Sequence, residues 1–109
     1  MGLEERMRRH QRMIAVECDA LREMLIAKNK EYGSSVFEPI GIFSAATPED
    51  QIDVRIDDKL KRVQTIRQLA EVKIHEDTEL DLIGYLVLKR VARKLKTEEG
   101  QRRKESEQG

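Results

Sequence analysis

The sequence predicts an all-α fold, a small bundle of three main helices completed by homo-oligomerisation. Three observations carry this. Apolar residues recur at three- and four-residue steps in three separate stretches, the period of helices with one buried face. Charged residues make up 39% of the chain, hydrophobics also 39% and aromatics only 4%. That composition suits solvated helices with narrow apolar seams and not a β-sandwich. The 109 residues suffice for one domain with a modest core.

The first helix is expected over residues 3–30, which hold neither proline nor glycine. Ile14, Cys18, Leu21 and Leu25 follow one another at steps of four, three and four, on one stripe. Towards the N-terminus the stripe fades into Glu4, Glu5, Arg6, Arg8, Arg9 and Arg12, an end expected to be solvated or to meet a partner chain. Cys18 is the only cysteine; it has no internal disulfide partner and is expected as a small buried apolar residue. Gly33 occupies the position of a left-handed cap.

Residues 34–46 form an irregular connection, and loops of this length are often functional. Phe37, Ile40, Ile42 and Phe43 are expected to pin it to the core. Thr47-Pro48-Glu49-Asp50 then starts a second helix, with Thr47 as N-cap, Pro48 at the first helical position and two acids at the positive end of the dipole. It should run over residues 48–69 and bury Ile52, Ile56, Leu60 and Val63. After a short connection at 70–74, Glu76 and Asp77 open a third helix, which continues through Leu80, Ile83, Val87, Leu88 and Val91 to about Leu95. Residues 97–109 are polar and contain two glycines, which predicts a disordered tail and a single helical domain over 1–96.

Lysine plus arginine number 21 and aspartate plus glutamate 21, for a net charge of zero. No global nucleic-acid footprint follows from such a balance. The one basic cluster, Arg6 to Arg12, is diluted by Glu4 and Glu5 and has no interleaved aromatic, so direct nucleic-acid binding is not expected. No apolar run approaches the roughly 20 residues that span a bilayer. The first twelve residues lack a signal peptide's apolar stretch, so the expected location is the cytoplasm.

Polar residues interrupt the buried stripe in all three helices. The first helix carries its stripe into Lys28 and Tyr32, with Glu31 alongside and Ser34 and Ser35 beyond Gly33. The second brings Arg55, Asp58, Lys59 and Arg62 within two turns, a density of cations that fits phosphate. In the third, Asp77, Asp81 and Tyr85 stand at successive four-residue steps. Two carboxylates one turn apart can share a divalent cation or an ammonium group. A structural ion pair of Asp81 with Lys28, Lys59 or Arg62 is the plain alternative, but a charge on a core face is costly, and three helices bring such charges. His75 stands beside the third helix without a histidine or cysteine partner; His10 lies in the solvated arm.

Three blocks of this sequence resemble the nucleotide modification associated domain 1 family. They are Lys28-Asn29-Lys30-Glu31-Tyr32-Gly33-Ser34-Ser35, the stretch from Asp53 to Arg62, and Glu76-Asp77-Thr78-Glu79-Leu80-Asp81-Leu82-Ile83-Gly84-Tyr85. The family patterns are K-x-x-(D/E)-Y-G-x-S, R-x-x-D-K-x-x-R and E-D-x-x-x-D-L-x-x-Y, in the same order, and the resemblance covers residues 18–95. The family is common in phage and prophage genomes and is distantly similar to the all-α, MazG-like nucleoside-triphosphate pyrophosphatases. Those enzymes hold Mg²⁺ with an E-x-x-E pair and an E-x-x-D pair. Here Asp81 matches the last acid, but Thr78 stands three residues before it, and Asp77 is the nearest carboxylate. On the first helix Glu17 has Ile14 and Ala20 at its three-residue steps, while Asp19 and Glu23 stand four apart.

The resemblance implies a phage-type accessory protein that acts on or sequesters a nucleotide, in the host cytoplasm if phage-encoded. Its ligand-binding residues would be Lys28, Glu31, Tyr32, Ser34, Arg55, Asp58, Lys59, Arg62 and Tyr85, with Asp77 and Asp81 as holders of Mg²⁺. In these roles the cations neutralise phosphate, the tyrosines pack or hydrogen-bond a base or sugar, and the acids orient the cations. The alternatives are a Mg²⁺-dependent nucleoside-triphosphate pyrophosphohydrolase, in which the metal activates water, and a non-enzymatic anti-defence module that binds a host protein.

Overall fold

The computed structural model describes residues 2–69 and 76–108. Three helices follow in order, α1 (Leu3–Glu31), α2 (Pro48–Leu69) and α3 (Glu76–Gln108), with no strand among the described residues. The all-α class is therefore observed. The expected connection at 70–74 and His75 lie outside the described residues. The chain divides into two compact units, Met1–Gly33 and Ser34–Gly109, where the sequence predicts one domain over 1–96.

The first unit is α1. Its first turn carries Glu4 and Glu5 and its last turn Lys28 and Lys30, both matched to the helix dipole. The N-cap, Gly2, makes no side-chain cap. At the other end the Tyr32 N–H donates to the Lys28 carbonyl at 2.9 Å, and Gly33 takes φ 58°, the left-handed stop the sequence predicts. Ser34 follows at φ 62°, a conformation that costs a side-chain-bearing residue about 1 kcal/mol. Its carbonyl accepts the N–H groups of both Phe37 and Glu38 at 2.9 Å, which closes the turn. No residue of α1 is buried. Ile14 is 62% exposed and Cys18 is exposed, against the expectation of a buried thiol. The stripe is regular, but a single helix has no surface of its own to cover it.

The second unit begins with the loop. Ile40, Ile42 and Phe43 are exposed, Phe43 fully, and of the four expected pins only Phe37 is half-buried. Gly41 at φ 70° turns the chain here, and nothing in the unit covers the residues beside it. The start of α2 is as predicted. Thr47 Oγ1 accepts the Asp50 N–H at 3.1 Å, and the Thr47 carbonyl accepts the Gln51 N–H at 3.0 Å.

α2 packs against α3 as an antiparallel hairpin. Three ion pairs give the direction: Glu49 with Arg93, Asp53 with Lys89, and Lys59 with Asp81, so numbers rise along α2 as they fall along α3. On α2 the less exposed positions include Ile52, Ile56, Lys59, Val63 and Ile66, at steps of four, three, four and three. On α3 they include Thr78, Asp81, Tyr85, Leu88 and Ala92, at steps of three and four. That is the seam of a two-stranded coiled coil. Ile52, 1% exposed, is its tightest point, and Thr78 and Ala92 are also buried.

The seam corrects the expectation for Leu60. Leu60, expected inside, is 50% exposed, and Lys59 takes the inward position in its place. Ile83, Val87 and Val91 are exposed as well, because α3 turns the face of Asp81, Tyr85 and Leu88 towards α2. A step pattern of four and four leans off a seam that advances by seven residues every two turns. Beyond Leu95, α3 continues as helix to Gln108 with every residue exposed, over the stretch for which the sequence predicts a disordered tail. The Glu, Lys, Arg and Gln that fill it are good helix formers. α2 begins opposite Arg93, so it offers no surface to that extension.

Candidate functional site

The charged centre of the hairpin is Lys59 and Asp81. Lys59 Nζ lies 3.0 Å from Asp81 Oδ2, with side chains 22% and 28% exposed. Both occupy seam positions, between Ile56 and Val63 on one helix and Thr78 and Tyr85 on the other. Water reaches the pair only partly, which strengthens its attraction and raises the cost of leaving either member alone. The structural alternative foreseen for Asp81, a pair with a lysine of the second helix, is thus realised in geometry.

Arg55 stands one turn before Lys59 and Arg62 one turn after it, so the three cations line one flank of α2. Arg55, Asp58 and Arg62 are all exposed. Among the described residues neither arginine has an ion-pair partner. Tyr85, half-buried, lies one turn beyond Asp81 on α3. The hairpin therefore brings together Lys59, Asp81 and Tyr85 at the seam and places Arg55, Asp58 and Arg62 beside them. Such a flank suits an anion with several oxygens, since each guanidinium presents a planar pair of donors while an anchored ammonium supplies a point charge.

Lys28, Glu31 and Tyr32 stand in the last turn of α1 and at its C-cap, all exposed, and belong to the other unit. Ser34, half-buried, is the turn residue just after it. Asp77 opens α3, but its side chain lies outside the described residues. Among the described residues no group of three or more His, Cys, Asp or Glu is arranged to hold a metal ion. Asp81 already faces the Lys59 ammonium, which a divalent cation there would have to displace. Thr78, three residues before Asp81, is 3% exposed in the seam, so a carboxylate at that position would be a buried charge.

No protein-family model, no curated protein and no solved structure matches this chain.

Two acid–base pairs lie outside the candidate site. Glu49 and Asp53 stand one turn apart on α2, and Lys89 and Arg93 one turn apart on α3. Arg93 donates to Glu49 Oε1 through Nε at 3.1 Å and Nη2 at 2.9 Å, and Lys89 Nζ lies 2.7 Å from Asp53 Oδ1. The signal was there as two acids and two bases at matching four-residue spacing. Their partial exposure makes them worth about 0–1 kcal/mol each, more a device for register than for stability.

Proposed function

We propose that the α2–α3 hairpin binds the phosphate groups of a nucleotide or related phosphorylated small molecule, and that it binds without hydrolysing it. The observation that carries this reading is the seam lysine, fixed by Asp81, between two exposed arginines on one flank of α2. Asp81 holds the ammonium in place, Arg55 and Arg62 grip phosphate oxygens, and Tyr85 offers a ring and a hydroxyl to the rest of the ligand. Binding without chemistry is favoured over metal-assisted hydrolysis because Asp81 is committed to an ammonium and Thr78 replaces its would-be partner acid. The family resemblance supports the nucleotide and the phage-type setting, and the cationic flank of α2 supports an anionic ligand.

The test is to purify the protein, look by mass spectrometry for a co-purified nucleotide, and titrate nucleoside mono-, di- and triphosphates by calorimetry with and without Mg²⁺. Binding should fall at least tenfold in Arg55→Ala and Arg62→Ala, with unchanged denaturation midpoints and no release of pyrophosphate. Binding that is indifferent to both substitutions would refute the site, and Mg²⁺-dependent pyrophosphate release would return the hydrolase reading.

The protein in this reading acts as a homo-oligomer. Ile83, Leu86, Val87 and Val91 all lie exposed on the hairpin, an amount of apolar surface that a working protein covers. A second reading, a non-enzymatic module that binds a host protein, is favoured by one observation, the exposed Ile40, Ile42 and Phe43 at the tip of the loop.

A further inference from the structure

α1 is a helix of 29 residues with no buried residue. Helices are only marginally stable without a packed face, and a long one with a regular seam asks for a partner. Its seam is a heptad pattern. Met7, Gln11, Ile14, Cys18, Leu21 and Leu25 follow at alternating steps of four and three, which makes Gln11, Cys18 and Leu25 one core position of the heptad and Met7, Ile14 and Leu21 the other. Three heptads of such a seam are enough to specify a coiled coil.

We infer that α1 pairs with α1 of a second copy of this chain, parallel and in register, as a two-stranded coiled coil. This rests on the homo-oligomer reading above and gives the assembly an interface through α1, other than the exposed apolar face of the hairpin, and a direction. The direction comes from the charges that flank the seam. One flank carries Arg8, Ala15, Arg22 and Asn29; the other carries His10, Glu17, Met24 and Glu31. In a parallel pair the two flanks meet each other, and Glu17 of each chain faces Arg22 of the other. In an antiparallel pair each flank meets itself, and arginine is set against arginine and glutamate against glutamate. Glu17 and Arg22 are both exposed and available for this. The single polar layer, Gln11, then pairs with its own copy and disfavours shifted registers, as one polar core residue does in such assemblies. Cys18 lies against Cys18 of the second copy.

The last point supplies the experiment, carried out on the full chain. Sedimentation at micromolar concentration should give a dimer or a multiple of it. Mild oxidation should then join the chains through Cys18 within minutes, and Cys18→Ser should abolish the link without changing the sedimentation mass. Glu17→Arg alone and Arg22→Glu alone should each weaken self-association at least tenfold, and mixing the two variants should restore it, because only the mixed pair has complementary flanks. These two residues are exposed, so the variants keep their fold, which the helical signal checks. An oligomer that neither cross-links through Cys18 nor responds to charge mixing overturns the α1 pairing and leaves homo-oligomerisation standing through another face. A monomer overturns both.

Discussion

Replacing Lys59 and Asp81 together tests whether the charged centre of the hairpin serves stability or a ligand. The perturbation is a double-mutant cycle of Lys59→Met, Asp81→Leu and both together. Breaking a fully buried ion pair by removing one member costs about 3–5 kcal/mol, and an exposed pair is worth about 0–1 kcal/mol. The two side chains are 22% and 28% exposed at a separation of 3.0 Å, so the cost should fall between these limits. Lys59→Met should cost about 1–2 kcal/mol, since Asp81 has a short side chain and keeps its charge in the seam. Asp81→Leu should cost about 1 kcal/mol, since lysine can extend its ammonium towards water. The double variant continues the apolar seam through Ile56, Val63, Tyr85 and Leu88 and should match or exceed the parent by about 1–2 kcal/mol. Chemical denaturation followed by circular dichroism measures all four proteins, and the coupling, the double variant's change less the two single costs, should be about 2–5 kcal/mol. Costs that simply add would show that the two charges do not interact, and the account of the hairpin centre would fail. If the double variant is as stable as the parent but no longer binds nucleotide, the pair is held for the ligand at some expense of the fold.

Ile52→Ala should destabilise the hairpin by about 2–4 kcal/mol, as expected for a fully buried isoleucine, while Leu60→Ala should cost under about 1 kcal/mol; equal effects in denaturation would mean the seam register is wrong. Phe43→Ser should leave the denaturation midpoint within about 0.5 kcal/mol of the parent, because the ring touches no core; a larger loss would place the loop against the fold. Truncation after Lys96 should lower the helical signal without moving the midpoint of α2–α3 unfolding, since the extension of α3 packs on nothing, and a shifted midpoint would show that it does.

Much of the fold is legible in the residues themselves. The capping signals act within a few residues of the chain, so Thr47-Pro48 and Gly33 mark the start of α2 and the end of α1 where the structure has them. The all-α class follows from composition and period, which need no partner to be read. The inward face of a helix is another matter. Lys59 and Leu60 are neighbours in sequence, hydropathy favours the leucine, and the seam takes the lysine because Asp81 waits across it. The same holds for the loop, whose Ile42 and Phe43 have the composition of core residues and meet no surface.

For the candidate site, the sequence by itself determined which polar and charged residues lie on or beside the apolar stripes of the three helices. Only the tertiary structure decided that Lys59 and Asp81 face one another, that Arg55 and Arg62 flank them in the open, and that Thr78 closes the seam beside Asp81. The physical reason is that a period along one helix defines its faces but not their rotation towards a neighbour. That rotation is set where two surfaces meet, by the summed packing of Ile52, Ala92 and their neighbours and by three cross-helix ion pairs, and each of these needs both helices to exist.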